Sequence, residues 1–349
     1  MKIGRVSPRK YECIRPKAIV AQHSSPMKSR FVPHPIAPLF FLTLMTSCAS
    51  QKLFELRPSP TPSQIQSDPL IDLKARVRTG DIIVGNDLKP LSLFMTLATE
   101  KPFYYGHSGI VVVENGVPFV YEALGAFNLK APGNTIFQKV KGGIYKHSID
   151  EFSSRYFETA VFRLPDERKN AATPEAISHL LQNEIDFDPF FNPETKEMCC
   201  TEWDRAVLQG IGYTNPFPLI GRSKNASVQR AMDALDLKAD VYLTADAIIQ
   251  QKGSQNIGTL SGLSSLEIRN AMRLAFFYLH ERFTSEDSLS KYFTYDSWKV
   301  VDYNANVNSY FDWVFSYFSK FPTDDANEHS RIIKIIYDAH FQPQLQEKK

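Results

Sequence analysis

Two β-rich runs meet at an Asn-Gly dipeptide in Tyr105-Gly-His-Ser-Gly-Ile-Val-Val-Val-Glu-Asn-Gly-Val-Pro-Phe-Val-Tyr-Glu-Ala123. Because Asn115-Gly116 favours a two-residue type I′ turn, the stretch predicts a β-hairpin. Pairing outward from that turn puts His107 opposite Leu124, so that Glu122 shares the face of His107 on the diagonal. Diagonal residues lie about 7–8 Å apart at Cα, which a glutamate and an imidazole can span with a hydrogen bond.

A second region predicts a helix that begins beside two cysteines, in Met198-Cys-Cys-Thr-Glu-Trp-Asp-Arg-Ala-Val-Leu-Gln-Gly210. The apolar residues after Cys200 have helical spacing, and Gly210 or Gly212 is expected to end the helix. Backbone N–H groups at a helix N-terminus favour a thiolate and can hold an oxyanion. The alternatives are two buried cysteines without chemistry, a disulfide between neighbours, and a histidine that is merely structural.

Together these motifs resemble the permuted papain-like amidases of the YiiX and YaeF type, relatives of the NlpC-like cell-wall peptidases. The resemblance covers about residues 78–253 and implies a site in which Cys200 is the nucleophile, His107 the base and Glu122 its orienting partner. Thr201 and Trp203 depart mildly from the family pattern, and Cys199 departs more strongly. The matching motifs are Gly80-Asp-Ile-Ile83, Tyr105-Gly-His-Ser-Gly-Ile-Val111, Val120-Tyr-Glu-Ala123, Phe187-Asp-Pro-Phe190 and Cys200-Thr-Glu-Trp203.

The fold class expected is α+β, a circularly permuted papain-like (NlpC-like) domain, since His107 precedes Cys200 in the chain. A strand over 159–164 and a helix over 173–181 fit that mixture. The function expected is an envelope-anchored cysteine hydrolase that cleaves an amide bond through a Cys-His-Glu triad and a thioester. The alternatives are a lipid acyltransferase or esterase with the same triad, and a non-catalytic binding lipoprotein.

Composition supports a folded chain and narrows its partners. The 349 residues are 43% hydrophobic and 22% charged, with a net charge of only +2. No basic stripe with interleaved aromatics appears, so nucleic acid is not an expected partner. The sequence has neither a phosphate-binding Gly-rich loop nor zinc-ligand spacing, so no cofactor and no metal are expected. Five other histidines are taken as structural: His147, His179, His280, His329 and His340.

The N-terminal segment predicts an export signal. The apolar run 39–45 follows Lys28 and Arg30 and is too short to span a bilayer. It leads into Leu44-Met-Thr-Ser-Cys48, which resembles a bacterial lipobox whose cysteine is lipidated. Cys48 is therefore the predicted lipidation site, and the protein is expected in the bacterial cell envelope, membrane-anchored and facing the periplasm. An uncleaved anchor and a start at Met27 remain alternatives.

Four segments are predicted along the chain: a signal and lipoprotein segment over 1–48, a linker over 49–77, the catalytic domain over 78–255 and a helical extension over 256–349. Pro58-Ser-Pro-Thr-Pro62 marks the linker as an extended spacer. Ser264-Ser-Leu-Glu267 is a capping-box signature that opens one C-terminal helix. The aromatic stretch 310–318 is a second, interpreted as core rather than as a lipid- or partner-binding stripe.

Aromatic residues flank every segment of the predicted site, which favours a lipid-like N-acyl amide over a cell-wall peptide as the substrate. Burial in the core is the alternative for several of them. The aromatic residues are Phe103, Tyr104, Tyr105, Phe187, Phe190, Phe191 and Trp203. The charged residues expected near the triad are Asp188, Glu202, Lys101 and Arg205.

Overall fold

A computed structural model describes residues 67–125, 140–165, 185–188, 191–235, 237–261, 265–284, 289–296 and 299–342. The predicted lipidation site Cys48 and the predicted helix 173–181 lie outside these ranges. The described strands are β1 Ile82–Asn86, β2 His107–Glu114, β3 Val117–Gly125, β4 Val140–Ser148, β5 Glu158–Arg163, β6 Ile185–Phe187, β7 Ile220–Gly221, β8 Val241–Tyr242, β9 Gln255–Ser261, β10 Phe293–Asp296 and β11 Lys299–Tyr303.

Seven of these strands form one antiparallel sheet in the order β6-β4-β3-β2-β1-β5-β9. Strands β7 with β8 and β10 with β11 form two small ladders beside it. The described helices are α1 Ser67–Arg76, α2 Pro90–Leu97, α3 Ile149–Ser153, α4 Cys200–Gly210, α5 Ala226–Ala234, α6 Ala245–Ile249, α7 Leu266–Thr284, α8 Ala305–Lys320 and α9 Ala326–Phe341. The α+β class is therefore confirmed.

The β2–β3 hairpin is confirmed in its turn and its register. Asn115 and Gly116 have φ values of 50° and 80°, both in the left-handed region that a type I′ turn requires. Val111 pairs with Val120 and Val113 with Pro118, as outward pairing from that turn demands. The predicted strand over 159–164 is also confirmed as β5.

The sheet separates two apolar layers, because alternate residues of each strand point to opposite faces. On one face, Val111 and Val161 pack with Leu73 of α1 and Phe152 of α3. On the other face, Ile110 and its neighbours join a larger cluster that includes side chains of α2, α4, α7, α8 and α9. The C-terminal helices therefore share the core of the sheet.

Two predicted domain boundaries need correction. Strand β9 pairs with β5, so the boundary placed after residue 255 falls inside the central sheet. Its polar sequence, without a regular alternation of apolar residues, concealed it in a segment interpreted as helical. Helix α1 occupies the end of the predicted linker, and its Leu73 is buried against the sheet because α1 covers β9.

The C-terminal helices themselves agree with the sequence. Helix α7 begins at Leu266, within the predicted capping box, and α8 contains the aromatic stretch, whose Tyr310, Phe311 and Phe318 are fully buried. Trp313 is the exception, since it is 61% exposed. Among the described residues, no helix is long and apolar enough to cross a bilayer.

Candidate active site

His107 and Glu122 meet on one face of the hairpin. Glu122 Oε2 lies 2.6 Å from His107 Nε2, within hydrogen-bond distance. Gly109 is the residue opposite Glu122, and a Cβ placed there would lie 2.7 Å from the Tyr121 carbonyl oxygen and 3.2 Å from Glu122 Cβ. The missing side chain at Gly109 therefore leaves the space in which the carboxylate reaches the imidazole.

Cys200 is the first residue of α4, as the sequence predicts. Helix α4 packs against β2 and β3, which brings the Cys200 sulfur into hydrogen-bond contact with the His107 ring. The Ser108 backbone N–H donates to the same sulfur. Since His107 Nε2 faces Glu122, Nδ1 is the ring nitrogen left for Cys200. The structure thus brings together the three residues that the sequence singled out.

The two cysteines differ in acidity although both are buried and both are free thiols. A hydrogen bond from Cys199 and the positive charge of His107 outweigh burial and hold the pKa of Cys200 well below its usual value. Burial raises the pKa of Cys199 well above its usual value. Cys199 therefore stays a thiol that donates to the Cys200 thiolate.

The histidine and the glutamate complete an ion-pair arrangement. Burial disfavours a charged ring, but the Cys200 thiolate and Glu122 outweigh it and raise the pKa of His107 to about 10. Burial also opposes an ionised Glu122, yet the hydrogen bond and charge of His107 and the charge of Arg155 lower the pKa of this carboxyl. A thiolate and an imidazolium consequently face each other at neutral pH.

Two further basic residues contact Glu122, and the sequence analysis did not assign them to the site. Arg155 Nη2 donates a hydrogen bond to Glu122 Oε1. His147 Nε2 lies 3.1 Å from the same oxygen. His147 lies on β4, two residues after Tyr145, the cross-strand partner of Glu122. Residues 126–139 separate β3 from β4, too many for a two-residue turn to fix this register, so the sequence offers no signal for His147. The sequence also offers no signal for Arg155, because this residue follows a short helix outside any motif.

Aromatic rings hold the His107 ring in place. Phe152 and Tyr156 both lie 6.0 Å from it between ring centroids, in stacked orientation. Tyr156 lies against Gly85, where a Cβ would approach the tyrosine ring to 2.4 Å. Packing of this kind fixes a catalytic side chain in one orientation.

Asp204, one helical turn after Cys200, is a buried carboxyl that sequence analysis left out of the site. It is fully buried near Ser108, and burial raises its pKa well above the usual value. A protonated Asp204 places no second negative charge beside the Cys200 thiolate. Glu202, by contrast, accepts a hydrogen bond from the Cys199 N–H at 2.7 Å, which leaves the Cys200 N–H for another acceptor.

A cavity of about 300 Å³ opens at Cys200 and His107. Its described lining is mainly apolar, and its charged side chains besides Cys200 and His107 are Asp87 and Lys89, whose carboxylate and ammonium groups lie 3.3 Å apart. The apolar side chains are Leu91, Met95, Phe103, Tyr105, Ala123, Leu124, Tyr156, Phe187, Phe191, Tyr242, Leu243 and Ala245.

The predicted wall of aromatic residues is correct in part. Phe103, Tyr105, Phe187 and Phe191 line the cavity, whereas Tyr104 and Trp203 belong to the core. Phe190 lies outside the described residues. The four charged residues expected nearby, which are Asp188, Glu202, Lys101 and Arg205, do not line it.

Phe187 reaches the cavity through a slot made by two glycines. A Cβ on Gly125 would lie 2.3 Å from the Phe187 ring, and one on Gly142 would lie 2.5 Å from Phe187 Cβ. Any larger residue at either position would expel this ring from the wall. In the sequence, Gly125 and Gly142 indicate that a side chain approaches the backbone closely. Their spacing alone does not identify Phe187 as that side chain.

Comparison with known proteins finds a distant likeness. No protein-family model and no curated protein matches the chain. The chain is similar to a solved structure described as the metalloprotein YiiX from Escherichia coli O157:H7. Identity is 17%, the match covers 52% of this chain and 96% of that chain, and the TM-score is 0.38. A TM-score of this size carries no argument, so the candidate site depends on its own geometry.

Proposed function

We propose that this protein is a cysteine hydrolase that cleaves an amide bond on a circularly permuted papain-like domain. The observation that carries the proposal is that His107 contacts both Cys200 and Glu122, and that Cys200 and His107 line one cavity. A nucleophile, a base and a third group that orients the base form the arrangement used for acyl transfer by activated thiols. The lowered pKa of Cys200 supports a reactive thiolate.

The chemistry runs through a thioester. The Cys200 thiolate attacks the amide carbonyl carbon, and the backbone N–H of Cys200 at the start of α4 donates to the oxyanion. The C–N bond then breaks as the His107 imidazolium gives its proton to the leaving amine. His107, now neutral, takes a proton from water, which attacks the thioester and releases the acid and the Cys200 thiolate. Glu122 stabilises the imidazolium in both half-reactions.

The substrate class proposed is a lipid-like N-acyl amide rather than a cell-wall peptide. Apart from Cys200 and His107 themselves, the described lining of the cavity is apolar except for Asp87, Lys89 and a few hydroxyls, which suits an acyl chain. A stem peptide carries several charges, and beyond the reacting Cys200 and His107 the described lining offers only the pair Asp87 and Lys89 to bind them. The proposed location is the membrane surface of the bacterial envelope, with Cys48 as the lipid anchor.

The test uses the full chain purified in detergent and a series of N-acyl amino acids of increasing chain length. We expect kcat/KM to rise with chain length, by up to ~0.8 kcal/mol of binding for each methylene that is buried. Cys200→Ala is the matched control and should abolish turnover. Cleavage of muropeptides with no activity on acyl amides would reverse the substrate preference. Absence of turnover on every amide would favour a non-catalytic binding protein.

The apolar lining also supports a second candidate, a lipid acyltransferase or esterase with the same triad. In that case the thioester would pass its acyl group to an alcohol or an amine instead of water. The same assay separates the two when an acceptor lipid is added, because a transferase forms acylated acceptor at the expense of free fatty acid.

A further inference from the structure

Glu122 is the point at which three basic side chains converge from three parts of the chain. Its carboxylate is 0% exposed, and its two oxygens are used separately. His107 from β2 contacts Oε2 at 2.6 Å, while Arg155 bonds Oε1 and His147 from β4 lies 3.1 Å from Oε1. Oε2 therefore contacts His107, whereas Oε1 contacts Arg155 and His147.

Arg155 belongs to the turn after α3 that also packs the His107 ring. Its guanidinium carbon lies 5.0 Å from the Phe152 ring centre and 5.5 Å from that of Tyr156. These are the two rings that stack on His107. The same short segment thus packs Phe152 and Tyr156 against His107 and pairs Arg155 with Glu122.

We infer that Arg155 is a positioning residue, which acts through Glu122 to hold His107 charged and aligned with Cys200. The inference depends on the proposed function, because it gives Arg155 a role in that same site. Arg155 does not line the cavity, and no contact with Cys200 is needed for this role.

The physical reason lies in the burial of the carboxylate. An ionised carboxylate without water must have charged or donor partners, and a lost partner favours its protonation. The titratable and charged groups that interact with Glu122 are His107, His147, Arg155, Tyr156 and, from α4, Asp204. Of these, Arg155 alone carries a fixed positive charge. Without Arg155, Oε1 of Glu122 keeps only the His147 ring, among the described residues, as a neighbouring basic group, and the Glu122 carboxyl is free to rotate.

Loss of Arg155 should also raise the pH at which the Cys200 thiolate is protonated. Without Arg155, Glu122 is protonated at a higher pH, so His107 loses its negative partner in the acidic range. The Cys200 thiolate then loses a charged imidazolium and is protonated at a higher pH as well.

The experiment follows alkylation of Cys200 by iodoacetamide against pH in the full chain, so it needs no substrate. In Arg155→Met we expect the acid limb of the rate profile to move up by roughly one pH unit, since that is the lower end of the effect of a neighbouring charge. Arg155→Lys, which keeps the charge, should shift the limb less. Lys146→Met is the matched control: it removes another cation paired with a glutamate of this hairpin, Glu114, and should leave the profile unchanged.

Circular dichroism separates loss of fold from loss of positioning, and Arg155→Gln carries the test if the Met variant does not fold. A residue that is merely structural would lower the folded fraction without moving the acid limb. Superimposable profiles for wild type and a folded Met or Gln variant would overturn the inference. Slow alkylation of Cys200 in wild type would instead overturn the proposed function, so the two failures are distinguishable.

Discussion

At the scale of single residues, Cys199 and Cys200 have different roles in forming the thiolate. Cys200 carries the thiolate, and Cys199 donates to it while burial keeps its own pKa high. We expect Cys200→Ala to lose fast alkylation near neutral pH. Cys199→Ala should keep fast labelling, with an acid limb at higher pH because the S–H donor is gone, and Cys199→Ser should restore the limb. Labelling that survives in Cys200→Ala but disappears in Cys199→Ala would identify Cys199 as the nucleophile.

Glu122 is expected to act through the charge of His107. A glutamine cannot stabilise the imidazolium as a carboxylate does, so Glu122→Gln should lower kcat/KM by about 10²–10⁴-fold. The pKa of His107, raised to about 10 in the native site, should fall as well. The alkaline limb of the rate profile, where His107 loses the proton it donates, should then move to lower pH. Glu114→Gln on the same hairpin is the control, and unchanged kinetics in Glu122→Gln would remove this residue from the site.

At the scale of elements, the close approach of β2 and β3 at Gly109 is what lets the hairpin bring Glu122 into contact with His107. We expect Gly109→Ala to force the strands apart and to abolish most of the activity, because its Cβ would lie 2.7 Å from a backbone oxygen of β3. Gly116→Ala is the control: nothing lies within 4 Å, and its φ of 80° alone should cost about 1–2 kcal/mol of unfolding free energy. Full activity per folded molecule in Gly109→Ala, assayed beside a urea titration, would contradict this account.

Elements defined by local sequence could be predicted, and those defined by distant contacts could not. The Asn115-Gly116 turn set the register that joins His107 to Glu122, and the helical spacing after Cys200 set the start of α4. Arg155 reaches Glu122 across 33 positions of the chain from an irregular turn. Strand β9 owes its place to β5, nearly 100 residues earlier, because its own polar sequence lacks a strand pattern.

At the scale of the whole molecule, the C-terminal helices support the wall of the cavity. Arg273 of α7 contacts Glu158 and donates to the Tyr105 hydroxyl at 2.9 Å, and Tyr105 lines the cavity. Glu158 is 2% exposed, so Arg273→Met leaves a buried carboxylate without its cation. We expect a loss of roughly 1–3 kcal/mol in urea unfolding, below the full cost of a buried pair because Arg273 is partly exposed.

The double variant Arg273→Met with Glu158→Gln tests whether the unpaired charge is the cause. It should recover part of the lost stability, since the buried group is then neutral. Arg331→Met, which breaks an exposed pair with Glu328, should change stability by less than about 1 kcal/mol. A double variant no more stable than Arg273→Met would assign the loss to packing instead of charge.

The last prediction concerns how the whole molecule reaches its substrate. If the substrate is lipid-like, a domain held at the membrane surface meets it at high local concentration, and we propose that lipidation of Cys48 in the lipobox-like sequence supplies the anchor. A single acyl chain gives only marginal binding to a bilayer, whereas the several chains of a bacterial lipoprotein hold it stably.

We expect palmitate label in the wild-type protein expressed in a bacterial host, in the membrane fraction. Cys48→Ser should be unlabelled and released from the membrane, with catalysis of detergent-dispersed substrate intact because the catalytic residues are untouched. Cys13→Ser, which precedes the apolar run, is the matched control and should keep both label and location. Label that persists in Cys48→Ser would mean that another residue is acylated, and an unlabelled wild type that stays in the membrane would point to an uncleaved anchor.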